Sequence, residues 1–225
     1  MVMDTSQLWP PSFDAAIFDF DGTLAETSDL WRLVDEAFFD QRGLPYDHEA
    51  HLALATLGFA PGAAWCIERY GLDERVEDIC DEWNRMGSEL YRTKVHLRPG
   101  AREYLLALRA AGIPCALATT NDPDVLASMR DNVDVGELFD EVVCGMEVAR
   151  PKDHPDIYLE AARRLGVRDV SGCMVFEDIP QGISSASRAC MRTCAVRCDD
   201  PRQDFSALRD LADVSLDNWT DISLS

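Results

Sequence analysis

Short apolar runs recur along this chain, and most are followed by a stretch with helical patterning. They are "AAIFDF" (15–20), "IPCALAT" (113–119), "EVVC" (141–144) and "GCMVFED" (172–178), with "RTCAVR" (192–197) a fifth and "DVSL" (213–216) a sixth. Strands this uniformly apolar have no face to turn to water, so both sides of their sheet must be covered. Among the intervening stretches, "GAREYLLALRAAG" sets Leu105, Leu106 and Leu108 on or near one face and stops at Gly112. "HPDIYLEAARRLG" opens with Pro155 and closes on Gly166, and "PQGISSASRAC" follows the fourth run. Proline near a helix start and glycine at its end are the usual limits. This alternation predicts an α/β fold built on a doubly wound parallel sheet of Rossmann-like type.

Residues 28–96 break the pattern. "LWRLVDEAFFDQRG", "GAAWCIERYG" and "ERVEDICDEWNRMGSELYRTK" read as helices, interrupted at "GLPYD" and "GFAPG", with no convincing strand among them. An excursion of about 70 residues is too long for a crossover in a compact sheet. The expected organisation is therefore an α/β core of residues 1–27 and 97–225 carrying an inserted all-helical domain at 28–96. Trp65, Tyr70, Trp83 and Tyr91, at helical spacing, read as that insertion's own core.

Charge narrows the partners. Lys plus Arg number 21 against 41 Asp plus Glu, a formal charge of −20, which repels nucleic acid and anionic membranes alike. No apolar run approaches the ~18 residues of a membrane span. "MVMDTSQLWPPSF" lacks the basic start and apolar stretch of a secretory leader. The eight cysteines form no CxxC pair or disulfide framework and read as free thiols of a cytoplasmic protein. His48, His51, His96 and His154 show no ligand spacing and read as surface or packing residues. Nothing in the sequence sets an oligomeric state.

Ligands of open parallel sheets bind outside the carboxyl ends of the strands, and unusual residues gather there. The first run ends in Asp19, with Asp21 just beyond; the second ends in "TTND"; the fourth ends in Glu177 and Asp178; Lys152 follows the third. The set suits phosphoryl transfer. Mg2+ takes oxygen ligands and shares carboxylates with substrate phosphate, and Asp19 and Asp178 offer such carboxylates, with Glu177 binding directly or through water. Asp19 is placed to attack phosphorus and carry the group. Asp21 is placed to protonate the leaving oxygen and then activate water. Thr119, with Thr120 beside it, and Lys152 are candidate binders of the phosphoryl oxygens. Gly22 lets the backbone turn so that amides approach the same oxygens. A receiver-type switch that holds phosphate on Asp without hydrolysis uses similar residues, but on a shorter chain with no insertion after the first strand.

These residues sit in motifs that resemble the haloacid dehalogenase superfamily over nearly the whole chain. "DFDGTL" is similar to its DxDGT motif, "ALATT" to the second, "RPKDHPDIYLEAARRLGV" to the third and "MVFEDIPQGISSASRACM" to the fourth. The helical insertion falls where the superfamily's C1 cap belongs. The resemblance implies Asp19 as nucleophile, Asp21 as general acid/base, Thr119 and Lys152 as phosphate binders, and a Mg2+ site of Asp19, Asp178, Glu177 and the Asp21 main-chain carbonyl. It implies a Mg2+-dependent phosphatase acting on a small phosphorylated metabolite through an aspartyl phosphate. A β-phosphoglucomutase-like mutase is the alternative, but Trp31 stands where that enzyme has a histidine, and "TLGFAPGAAW" lacks its arginine. Asp21 argues against a dehalogenase. Cys190 replaces the usual glycine before Met191, which reads as a packing change, and Asp153 replaces the proline after Lys152.

Overall fold

The computed structural model of the chain describes residues 5–200 and 203–224, so the start of the stretch read for a leader lies outside the described residues. All six apolar runs are strands: β1 (Ala15–Phe18), β2 (Cys115–Thr119), β3 (Glu141–Cys144), β4 (Cys173–Glu177), β5 (Arg192–Val196) and β6 (Val214–Leu216). Four helices follow β1: α1 (Ser28–Gln41), α2 (His48–Leu57), α3 (Phe59–Tyr70) and α4 (Val76–Lys94). Then α5 (Ala101–Ala110) leads to β2, α6 (Pro123–Ser128) and α7 (Val135–Leu138) to β3, α8 (Asp156–Arg164) to β4, α9 (Pro180–Arg188) to β5, and α10 (Phe205–Leu211) to β6.

The strands pair in the order β3-β2-β1-β4-β5-β6, each neighbour parallel. Sheet growth reverses at β1, so the mouth beside its carboxyl end is the switch point where such sheets bind ligands. Side chains alternate between two buried layers. Ala16 and Phe18 join Leu117, Met174 and Phe176 on one face; Ala15 and Ile17 join Ala116, Ala118 and Val175 on the other. Phe18 stacks on Phe176 with ring centroids 4.5 Å apart, and Tyr104 of α5 and Trp219 close around them. On α5, Leu105 and Leu108 are buried but Leu106 is 47% exposed. The buried stripe runs Ala101–Tyr104–Leu105–Leu108, and at about 100° per residue Leu106 falls outside it.

Helices α1–α4 hold a separate apolar cluster of Val34, Phe38, Phe39, Ala50, Ala63, Cys66, Ile79 and Trp83. Sequence patterning missed α2, and "GFAPG" was expected to interrupt the helices as a unit. Only Gly58 breaks them, at φ +71°. Pro61 lies in the first turn of α3, where its missing N–H has no helical partner to lose. Among the described residues Cys190 is the only non-glycine with positive φ, +63°. The usual glycine there therefore answers to the left-handed backbone that ends α9, and the packing reading is corrected. All eight cysteines are unpaired thiols. Among the described residues no helix is long and apolar enough to cross a membrane.

Candidate active site

Past the end of β1 the chain runs through Asp19, Phe20 and Asp21 and turns at Gly22, φ +77°. A Cβ there would lie 2.1 Å from Asp178 Oδ2, so glycine lets the loops after β1 and β4 meet. Its own N–H donates to the Ala25 carbonyl at 2.8 Å, which closes the turn. Arg98 Nη1 donates to the Gly22 carbonyl and Trp219 Nε1 to the Thr23 carbonyl, each at 3.0 Å, bracing the turn.

Asp19, Glu177 and Asp178, all buried, each offer an oxygen within 4.8 Å of the others. Lys152, despite Asp153 after it, is delivered to this cluster. Its buried ammonium donates to Asp19 Oδ1 and, at 2.6 Å, to Glu177 Oε1. Glu177 Oε1 also accepts from Tyr158 Oη at 2.7 Å, while Oε2 accepts the Asp178 and Ile179 amides at 3.0 and 3.2 Å. With both oxygens engaged, Glu177 holds Lys152 in place and secures the end of β4.

The Asp21 carboxylate does not join that cluster, and its expected metal contact rested on its main-chain carbonyl. Oδ1 accepts from Thr27 Oγ1 at 2.5 Å, Trp31 Nε1 at 3.2 Å and Tyr91 Oη; Oδ2 accepts from Asn121 Nδ2 at 2.5 Å. Trp31 Nε1 also donates to Tyr91 Oη at 2.6 Å. An indole can only donate, so the phenol passes its own proton toward Asp21. Tyr91, expected in the core of the helical insertion, thus packs with the sheet-side cluster and touches the site. Trp83 does sit in the helical cluster.

Electrostatics follow from burial. Desolvation pushes the Asp19 carboxyl up to about 8, against the pull of Lys152 and with help from Glu177 and Asp21. Burial raises Asp178 well above the usual carboxylate range, with repulsion from Asp19 and Glu177 added. It raises Asp21 too, opposed by the bonds from Thr27, Tyr91 and Asn121. Burial works against the charge on Lys152, but Asp19 and Glu177 hold it protonated above its ordinary range. One lysine does not balance this many acids. An oxygen-only donor set with unrelieved negative charge fits a hard divalent cation such as Mg2+.

A cavity of about 300 Å³ opens from these groups toward α1–α4; Asp19, Asp21, Gly22, Thr120, Lys152 and Asp178 line it. Thr119, fully buried, accepts from the Asn121 amide at 3.1 Å. Its neighbour Thr120 meets the helical layer at Gly58, where an added Cβ would stand 3.1 Å from the Thr120 carbonyl. His48 and His51, read from sequence as surface or packing residues, also line the cavity, and His51 Nε2 lies 3.2 Å from Asp200 Oδ2. Thr27, Trp31, Tyr91, Asn121 and Tyr158 carried no assignment of this kind in the sequence reading. Asn121 lies inside "TTND", Tyr158 inside "DIY" and Thr27 just after "DFDGTL", and Trp31 was compared with the mutase histidine, so for these four a nearby motif was a signal; Tyr91 had none.

Residues 13–189 match the haloacid dehalogenase-like hydrolase family. The chain is 34% identical over 191 residues to a probable pseudouridine-5'-phosphatase of Drosophila melanogaster, covering 83% of this chain and 81% of that protein. It is 32% identical over 204 residues to protein CbbY of Rhodobacter capsulatus, covering 86% and 89%. The crystal structure of a CbbY variant from Rhodobacter sphaeroides, in complex with xylulose-(1,5)bisphosphate, superposes with a TM-score of 0.79 at 26% identity, covering 94% of this chain and 96% of that one.

Proposed function

Because the chain belongs to the haloacid dehalogenase-like hydrolases and is a phosphatase among them, we propose that it hydrolyses a small phosphorylated metabolite, with Mg2+, through an aspartyl phosphate (an acyl phosphate) on Asp19. The carrying observation is the buried Asp19–Lys152–Glu177 array beside Asp178 at the switch point of the sheet. Asp19 attacks phosphorus, the bond to the alcohol oxygen breaks, and Asp21 gives that oxygen a proton. Asp21 then takes a proton from water, whose oxygen attacks phosphorus and returns the Asp19 carboxylate with inorganic phosphate. Lys152 neutralises the equatorial oxygens, and Thr119 and Thr120 are assigned to bind them. Asp19, Asp178 and the Asp21 carbonyl are the assigned Mg2+ ligands, with Glu177 acting through Lys152. When bound, the ion offsets carboxylate and phosphoryl charge.

Helices α1–α4 act in this reading as a cap that excludes bulk water. Asp21 Oδ1 accepts from Thr27, Trp31 and Tyr91 while Oδ2 accepts from Asn121, so Oδ2 is the less engaged oxygen and the one assigned to meet the leaving oxygen. The unpaired thiols support a cytoplasmic setting. The experiment is release of inorganic phosphate from p-nitrophenyl phosphate with Mg2+. It is expected to stop on chelation and in Asp19→Asn. Stable labelling of Asp19 by acetyl phosphate with no ester turnover overturns the reading in favour of a switch. Interconversion of β-glucose 1-phosphate and 6-phosphate overturns it in favour of a mutase.

A further inference from the structure

The two carboxylates at the end of β4 are held in different ways. Glu177 accepts from Lys152 and Tyr158 on one oxygen and from the Asp178 and Ile179 amides on the other. Asp178 is held by neutral groups. Thr23 Oγ1 donates to its Oδ1 at 3.4 Å, and the turn at Gly22 lies against its Oδ2. A side-chain amide then arrives from outside the four motifs. Gln203 Nε2 donates to the Asp178 main-chain carbonyl and lies 3.4 Å from Asp178 Oδ2.

Gln203 belongs to the segment between β5 and α10, beyond residues 13–189 that match the family. Its backbone is fixed on both sides. Its N–H donates to the Asp200 carbonyl at 3.0 Å, and the next residue, Asp204, caps α10 by accepting from the Ala207 amide at 3.1 Å. The other end of the Gln203 amide is used as well, since Oε1 accepts from the Cys198 N–H at 3.4 Å. These partners fix which end is nitrogen, because a main-chain carbonyl takes only a donor and a main-chain N–H only an acceptor.

The main chain of Asp178 is thereby gripped on both sides, its N–H by Glu177 Oε2 and its carbonyl by Gln203 Nε2. A carboxylate has about four lone-pair sites, so the single contact on each Asp178 oxygen leaves room for a cation. Neighbours of this kind set the angle of a ligand and hence the affinity of its site. Glutamine suits the place. Asparagine is a methylene shorter, and glutamate has no N–H to give the carbonyl and would add a charge beside Asp178.

We propose that Gln203 is a positioning residue for the cation site, holding Asp178 in the orientation that meets Asp19, so that the loop after β5 raises Mg2+ affinity through Asp178. This rests on the reading above of Asp19 and Asp178 as Mg2+ ligands.

The test is calorimetric titration of the full chain with Mg2+, which needs no substrate. Gln203→Met keeps the length of the side chain and removes both amide contacts; Kd for Mg2+ should rise about tenfold. Gln203→Asn should raise it likewise, and serves if Gln203→Met does not fold. With p-nitrophenyl phosphate, the Mg2+ concentration for half-maximal rate should rise by the same factor, while kcat and KM at saturating Mg2+ change less than about twofold. A residue that serves the fold alone would lower the metal-free Tm and leave Kd where it was, and an unchanged Kd overturns the inference. A native chain that binds Mg2+ but turns over no ester overturns the phosphatase reading, and the Kd of the variant still decides for or against Gln203. A native chain that binds no Mg2+ overturns the cation site and this inference with it.

Discussion

At the scale of single residues, Asp21 is the most constrained group in the site, because four donors, two of them nearby in the chain and two distant, converge on two oxygens. Tyr91 is the most informative of them, since it accepts from Trp31 and donates to Asp21. Tyr91→Phe should lower kcat for alkyl phosphates by about tenfold, the scale of a misplaced general acid. Turnover of p-nitrophenyl phosphate, whose phenolate leaves without much protonation, should fall far less. Equal losses on both would mean that Tyr91 serves the fold alone. Cys190 is a separate matter of backbone energy. A side chain at φ +63° carries a penalty of about 1–2 kcal/mol, part of which glycine gives back through its freer unfolded chain. Cys190→Gly should therefore stabilise the protein by about 0.5–1 kcal/mol, raising Tm by about 2 °C in a calorimeter.

At the scale of elements, the joint between α2 and α3 presses on the sheet at Thr120. Gly58 and Gly43 both have positive φ, but a Cβ on Gly43 meets nothing within 4 Å, while one on Gly58 meets the Thr120 carbonyl and side chain at 3.1 Å. Gly43→Ala should lose only about 1 kcal/mol of backbone strain, with KM unchanged. Gly58→Ala should lose more and raise KM, because the helical layer must shift on Thr120; urea melts and steady-state kinetics separate the two. The sequence made the strands and the helices around them readable, since an apolar run in a two-sided sheet is a local property. It failed at α2, whose "HEAHLALATL" spreads apolar residues around the helix, and at Leu106, where a leucine cluster did not reveal which member faces inward. Asp19, Asp21, Lys152 and Asp178 were legible because each follows a strand end. The contacts of Tyr91 and Asn121 with Asp21 span 70 and 100 residues, and no local pattern encodes a meeting made by the closure of two layers.

For the whole molecule, acidity concentrates at one place what is spread over the surface as a charge of −20. The raised carboxyls make a stability claim with a definite sign. Asp19 takes up its proton near 3.8 when unfolded and near about 8 when folded. Between those values the folded metal-free chain binds more protons, so its stability falls as pH rises through this window. Asp178, raised for the same reason of burial beside like charges, adds to the slope in the same direction. A divalent cation bound by these oxygens competes with the protons and stabilises only the folded chain. Adding Mg2+ should therefore raise Tm more at pH 8 than at pH 5. General screening of the surface charge would instead act through ionic strength, so NaCl at matched ionic strength is the control, and it should give a smaller rise with little dependence on pH. In Asp178→Asn the surface contribution persists while the Mg2+-specific part shrinks. If Mg2+ and NaCl raise Tm equally at both pH values, the buried acids do not form a cation site, and the slope belongs to the surface.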